Sequence, residues 1–268
     1  MLYFLSLVLF GVLQGLTEFL PVSSSGHLAM FSYFSASIQE DLSLNIAVHV
    51  GTLLTILIYY RRDILELVGG VVIGNKNSIQ MVGLILVASI PTGIIGILMK
   101  KNLNWVLTHP LVAANCLLVS ALILWLSDRA RTAQNPAEGF GITYWKAFLI
   151  GTVQGFAVLP GISRSGSTIV AGLFLGMSPQ NGARFSFLIS VPAIAGAGLL
   201  ELMSAEEAMD FQSLSLGALI SFVTGLIAIH WMVKVTLQRR LRAFAYYLVP
   251  VALLFIALYS FGIGEGAL

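Results

Sequence analysis

A chain of 268 residues that is 57% hydrophobic and only 10% charged, with a mean hydropathy of +0.92, is too apolar for a soluble globular domain. A formal charge of +2 offers no basic surface for nucleic acid, and the lone cysteine, Cys116, excludes an intramolecular disulfide or a thiolate metal cluster. The composition implies a single integral membrane domain over residues 1–268, all-α and polytopic.

In chain order, residues 1–20 are apolar but lack a basic start and carry Gln14 and Glu18, so this stretch is expected to be mature structure and not a cleaved signal. It ends in Phe19-Leu20-Pro21-Val22-Ser23-Ser24-Ser25-Gly26-His27, before a shorter apolar piece around 28–36. Three stretches clean enough to span follow, at about 42–60, 79–100 and 110–127. Residues 144–160 then repeat the opening pattern, running into Pro160-Gly161-Ile162-Ser163-Arg164-Ser165-Gly166-Ser167-Thr168 and a short piece to about Met177. Three further spans occupy about 180–203, 214–235 and 243–263, and Pro91, Pro192 and Pro250 inside spans predict kinks. Proline, glycine and serine at the density of the two broken segments stop a helix, and Ser or Thr caps the next. Irregular backbone at membrane depth survives only where protein or a watery cavity satisfies it. The expected architecture is therefore six transmembrane helices plus two re-entrant helix pairs.

The broken segments are related. At an offset of 140 residues, six of the sixteen positions from 11 to 26 are identical: Gly11/Gly151, Gln14/Gln154, Gly15/Gly155, Ser23/Ser163, Ser25/Ser165 and Gly26/Gly166. This predicts internal repeats over roughly 1–128 and 141–268. Each would hold one re-entrant pair and three spans, an odd number, so the second must enter the membrane in the opposite sense, as an inverted-topology repeat. Arg61, Arg62 and Lys76 in one loop, Arg129, Arg131, Lys146 and Arg184 around another, and Lys234, Arg239, Arg240 and Arg242 in a third all fall on one side. Lys100 and Lys101 fall opposite, with Glu40, Asp41, Glu206, Glu207 and Asp210. The basic side is expected to be cytoplasmic and both termini to face outward.

An ionisable group in the bilayer interior costs ~3 kcal/mol, so each one needs a reason. Arg164 stands at a predicted helix N-terminus among Ser163, Ser165, Ser167 and Thr168; its planar fork, the hydroxyls and the free N–H groups suit an anion, phosphate above all. The alternative is an Arg that only neutralises Glu18. Gln14 and Glu18 are four apart on one helix face, and the carboxylate could hold a divalent cation, act as an acid or pair with Arg164. Ser24 and His27 lie three apart across the turn, so a Ser nucleophile with a His base, or a His acting directly, both fit. His49 divides between site lining and packing, and His109 and His230 read as positional. This set positions a phosphoryl group and neutralises its charge, and a site within the membrane favours a lipid-borne phosphate.

The segment Gln14-Gly15-Leu16-Thr17-Glu18-Phe19-Leu20-Pro21-Val22-Ser23-Ser24-Ser25-Gly26-His27 and the segment 160–168 closely resemble the two signatures of the undecaprenyl-diphosphate phosphatase (bacitracin-resistance) family, and the resemblance runs along the full chain. It implies a multi-pass enzyme of the bacterial plasma membrane that converts undecaprenyl diphosphate to undecaprenyl phosphate and phosphate. That supplies the lipid carrier for cell-wall polymers and underlies bacitracin resistance. It further implies a divalent cation, Mg2+ or Ca2+, at Gln14 and Glu18, where Gln14 leaves one carboxylate in place of two. The catalytic Ser or His maps to Ser24 and His27, and the phosphate-binding loop to Ser163, Arg164, Ser165 and Thr168; an oligomer is compatible with the pattern. A flippase or transporter using the same site is the rival, since inverted repeats with broken helices suit transport. A type-2 phosphatidate-phosphatase-like enzyme is rejected because no His occurs between Arg164 and His230.

Overall fold

The structure, a computed structural model, describes residues 2–34, 42–130, 140–203 and 211–263. In order its α-helices are α1 (Leu2–Phe19), α2 (Ser24–Phe34), α3 (Leu42–Tyr59), α4 (Arg61–Val72), α5 (Lys76–Asn102), α6 (Asn104–Thr108), α7 (Pro110–Leu126), α8 (Tyr144–Phe156), α9 (Arg164–Phe174), α10 (Pro179–Leu202), α11 (Phe211–Leu237) and α12 (Ala245–Ser260). Pro91, Pro192 and Pro250 lie inside α5, α10 and α12. Leu86, Ile90, Ile94 and Ile97 stand exposed along one stripe of α5, while Gln14, Glu18, Gln154 and Ser163 are buried. Apolar outside and polar within is the distribution of a chain solvated by lipid.

Five helical stretches, Lys76–Asn102, Pro110–Arg129, Pro179–Leu202, Leu214–Leu237 and Leu241–Ser260, are each long and apolar enough to cross a bilayer. A sixth is reached only by joining Leu44–Tyr59 to Arg61–Val72, which bend by 70° at their junction. Here the structure corrects the sequence reading: the segment expected as a loop carrying Arg61, Arg62 and Lys76 is largely the amphipathic helix α4. Its Gly69-Gly70 pair and its charges disguise it, yet Gly70 serves packing, since a side chain there would place Cβ 2.6 Å from Ser78 Cβ on α5. Leu65, Val68 and Val72 face outward. The chain then turns through Gly74 at φ +74°, and Asn75 caps α5 by accepting from the N–H groups of Asn77 at 2.9 Å and Ser78 at 3.2 Å.

Ion pairs tie together helix ends expected to share the basic face. Asp63 pairs with Arg184, joining α4 to the start of α10, and Asp128 pairs with Arg242 at 3.6 Å while that guanidinium lies over the Trp125 ring. Arg131, Glu40, Asp41, Glu206, Glu207 and Asp210 lie outside the described residues.

Four helices position the site. α1 and α2 form one hairpin around residues 20–23, and α8 and α9 form another around 157–163. Each ascending arm carries a pair of glycines four apart. Gly11 and Gly15 let α1 approach α11 at Gly217, Ile220, Ser221 and Thr224, and Gly151 and Gly155 let α8 approach α5 at Ala88, Pro91 and Ile95. In lipid, helix association rests on such close backbone packing.

Candidate active site

Each hairpin tip is built the same way. Ser23 accepts from the Gly26 N–H at 3.3 Å and Ser163 from the Gly166 N–H at 3.1 Å, so each is the N-cap of the descending helix. Ser23 does so at φ 68°, in the left-handed region that a non-glycine residue enters at a cost of ~1–3 kcal/mol. The tips touch each other: a Cβ on Gly26 would fall 2.9 Å from Gly161 Cα, and one on Gly166 would fall 3.0 Å from Pro21 Cβ. Ser165 donates to the Leu20 carbonyl at 3.3 Å and Ser23 to that of Ile162 at 3.4 Å, crosswise between hairpins. From α7, Ser120 donates to the Gly161 carbonyl at 2.7 Å and accepts from the Ser163 N–H at 2.8 Å, fixing the second turn.

Where the tips meet, the charged groups converge. Glu18 Oε1 accepts from Arg164 Nη2 at 2.5 Å, and Oε2 accepts from Ser24 Oγ at 2.6 Å and from Gln14 Nε2 at 3.2 Å. Side chains 6 and 146 positions away from Glu18 in sequence thus share its carboxylate. Arg164 Nη1 and Gln14 Oε1 are buried without a partner among the described residues. An unpaired polar atom inside a protein costs about 1–3 kcal/mol, so both are open bonding positions for something that enters.

The other sequence candidates are distributed around this centre. Ser163, Ser165 and Thr168 are buried, and Thr168 donates to the Arg164 carbonyl at 2.8 Å and meets Ser186 Oγ at 2.5 Å. They hold the loop and the α9 N-terminus, and Arg164 is the member of the loop with open N–H groups. The ring nitrogens of His27 bond elsewhere than to Ser24: Nδ1 is 2.9 Å from the Ser23 carbonyl and Nε2 is 2.9 Å from the Tyr247 hydroxyl. His49 on α3 lies within electrostatic reach of Glu18 and bonds the Asn45 carbonyl through Nδ1 at 2.8 Å. His109 caps α7, accepting from the Leu111 N–H at 3.3 Å, and His230 packs its ring on Tyr59.

Sequence reasoning did not single out Tyr247, Ser120 or Ser186. A serine inside an apolar run is a weak signal, and Tyr247 in Ala245-Tyr246-Tyr247 reads as an interfacial aromatic.

The Glu18 carboxylate, Ser24 Oγ and Gln14 Oε1 are oxygen donors, which suit a hard divalent cation. The unpartnered Gln14 Oε1 beside the carboxylate fits such an ion. Among the described residues no group of three His, Cys, Asp or Glu side chains stands close enough to form a metal cage.

Comparison with known proteins gives concordant results. The family model described as "Bacitracin resistance protein BacA" matches residues 7–254. A protein named undecaprenyl-diphosphatase from Desulfosudis oleivorans is 41% identical over 257 residues, covering 90% of this chain and 93% of its own. A protein of the same name from Rubrobacter xylanophilus is 38% identical over 274 residues, covering 96% and 99%. Another from Alkaliphilus metalliredigens is 38% identical over 258 residues, covering 90% and 93%.

Proposed function

The chain belongs to the bacitracin resistance protein BacA family, and we propose that its catalysis runs through Ser24, Glu18, Arg164 and His27 where the two hairpin tips meet. It is a multi-pass hydrolase of the bacterial inner membrane that acts on undecaprenyl diphosphate, releases phosphate and recycles the lipid carrier for cell-wall synthesis.

The observation that carries the catalytic reading is the Glu18 carboxylate, shared between Ser24 Oγ at 2.6 Å and Arg164 Nη2 at 2.5 Å. A hydroxyl that already donates to a buried carboxylate can lose its proton there as it attacks. Ser24 Oγ bonds to the terminal phosphorus, its proton passes to Glu18, the bridging P–O bond breaks, and undecaprenyl phosphate leaves with the electron pair. Water then attacks the phosphoserine, the Ser24 O–P bond breaks as Ser24 Oγ takes back the proton from Glu18, and phosphate departs with the oxygen and protons of the water. Arg164 takes the phosphoryl oxygens through Nη1 and through Nη2 as it releases Glu18. Ser163, Ser165 and Thr168 shape the loop and present the α9 N-terminus to the anion. Gln14 and Glu18 are the residues that would hold a divalent cation, Mg2+ or Ca2+, which when bound neutralises charge on the diphosphate.

The same reading makes α1–α2 and α8–α9 re-entrant pairs among six transmembrane helices, related as inverted repeats. Two features support it. The arms bearing the matched glycines pack on α11 and on α5, one helix from each half. The reciprocal tip contacts join Gly26 to Gly161 and Gly166 to Pro21, and the 140-residue offset maps one contact onto the other, Gly26 onto Gly166 and Pro21 onto Gly161.

The decisive experiment is phosphate release from purified protein and undecaprenyl diphosphate in detergent, where transport has no meaning, with and without chelator. Turnover is expected, with loss in EDTA; absence of release under all conditions would leave the flippase reading. Ser24→Ala should remove nearly all turnover and His27→Ala should slow it by ~10²–10⁴-fold. A Ser24→Ala protein that keeps a tenth or more of the rate would move the attack to His27 or to a water at Glu18.

A further inference from the structure

His27 is buried, and both of its ring nitrogens are spoken for. Nδ1 faces the Ser23 carbonyl at 2.9 Å, and a carbonyl can only accept, so Nδ1 carries the proton. In the neutral ring Nε2 then holds the lone pair, and the group facing it at 2.9 Å is the Tyr247 hydroxyl, which donates. The two rings lie almost parallel, 6° apart in plane, with centroids 5.7 Å apart. Tyr247 comes from α12, at the far end of the sequence from the hairpin, while α2 holds Ser24 and His27.

We propose that Tyr247 is a positioning residue for hydrolysis: its hydroxyl fixes the plane and tautomer of His27, keeping Nε2 an acceptor on the helix that carries Ser24. The inference rests on the reading of His27 as a member of the site. An imidazole tethered only through Nδ1 can swing about its χ2 angle, whose well is broad. A second anchor on the opposite edge of the ring removes that freedom. A hydroxyl is the fitting anchor because it both donates and accepts. When Nε2 takes up a proton, the Tyr247 hydroxyl turns and accepts the new N–H, so the ring keeps its place in both protonation states. Ring packing alone would not require the hydroxyl, and phenylalanine would serve it.

The test is kinetic and uses the intact protein in detergent with undecaprenyl diphosphate. Tyr247→Phe keeps the ring and removes the hydroxyl. It is expected to lower kcat by about 5- to 50-fold, below the full value of an acid–base group because His27 remains present. KM should stay within about twofold, since an interaction that serves the reacting groups is lost from kcat. In the His27→Ala background, Tyr247→Phe should cause no further loss, because residues that act through one another are not additive. An unchanged kcat in Tyr247→Phe, or a full additional loss in the double variant, would overturn the proposal. A wild-type protein without phosphatase activity, or a His27→Ala protein of normal rate, would instead overturn the reading of the site on which it rests. Thermal unfolding of each variant separates both outcomes from a folding defect, and Tyr247→Trp, which keeps an aromatic ring and misplaces the donor, should be as slow as Tyr247→Phe.

Discussion

Arg164 brings to the site a planar fork that a lysine cannot reproduce. One nitrogen bonds Glu18 and the other is buried without a partner among the described residues, so the guanidinium is half used before any substrate arrives. Arg164→Lys keeps the charge and can still pair with Glu18, so the protein should fold. It loses the bidentate grip, and turnover should fall by ~10²–10³-fold, the scale of removing one oxyanion donor. Phosphate release from a variant with unchanged thermal unfolding checks this; near-normal turnover would take Arg164 out of the transition state. Ser23 is the second residue whose chemistry exceeds its sequence signal. Its hydroxyl caps α2 while its backbone sits at φ 68°, so the turn that presents Ser24 is held under strain by the crosswise bonds between the tips.

At the level of elements, the glycines of α1 and α8 separate close packing from mere smallness. A Cβ on Gly151 would run into the backbone of Ala88 on α5, whose Cα and carbonyl carbon would both lie 2.6 Å away. Gly93, on α5 itself, has nothing within 4 Å of such a Cβ. Gly151→Ala should therefore cost about 1–3 kcal/mol of stability through overpacking, and Gly93→Ala should be neutral or slightly stabilising as a better helix former. Thermal unfolding in one detergent decides between them, and equal midpoints for the two variants would contradict the packing argument. Thr92, which donates to the Gly151 carbonyl at 2.8 Å, further fastens the same crossing.

For the whole molecule the decisive property is topology. The ion pair of Asp63 with Arg184 draws the start of α4 and the start of α10 to one side, as inverted halves require if α3 runs inward and α10 outward. With Cys116 replaced by serine, a cysteine at Met203, the C-cap of α10, should react with an impermeant thiol reagent added to intact cells, and one at Asn77, near the start of α5, should not. Reaction at both positions, or the reverse pattern, would break the inversion and the orientation together.

The sequence by itself determined the class and most of the helix register. Apolar length sets where a membrane helix can lie, and the Pro-Gly-Ser clusters mark where it must break, because both act locally. It also isolated Glu18, Ser24, His27 and Arg164, since polar groups are rare enough in such a chain for each to stand out. What it could not determine was assembly. Only the packed structure decided that Ser24 donates to Glu18 and not to His27, that His27 leans on Tyr247 from the opposite end of the chain, and that residues 61–72 form an amphipathic helix set at 70° to the one before it. These outcomes depend on which surfaces meet, in the His27–Tyr247 pair across 220 residues of sequence. Neither periodicity nor composition encodes that choice, which is made by the close fit of backbones at glycine contacts and by the need to satisfy every buried polar group.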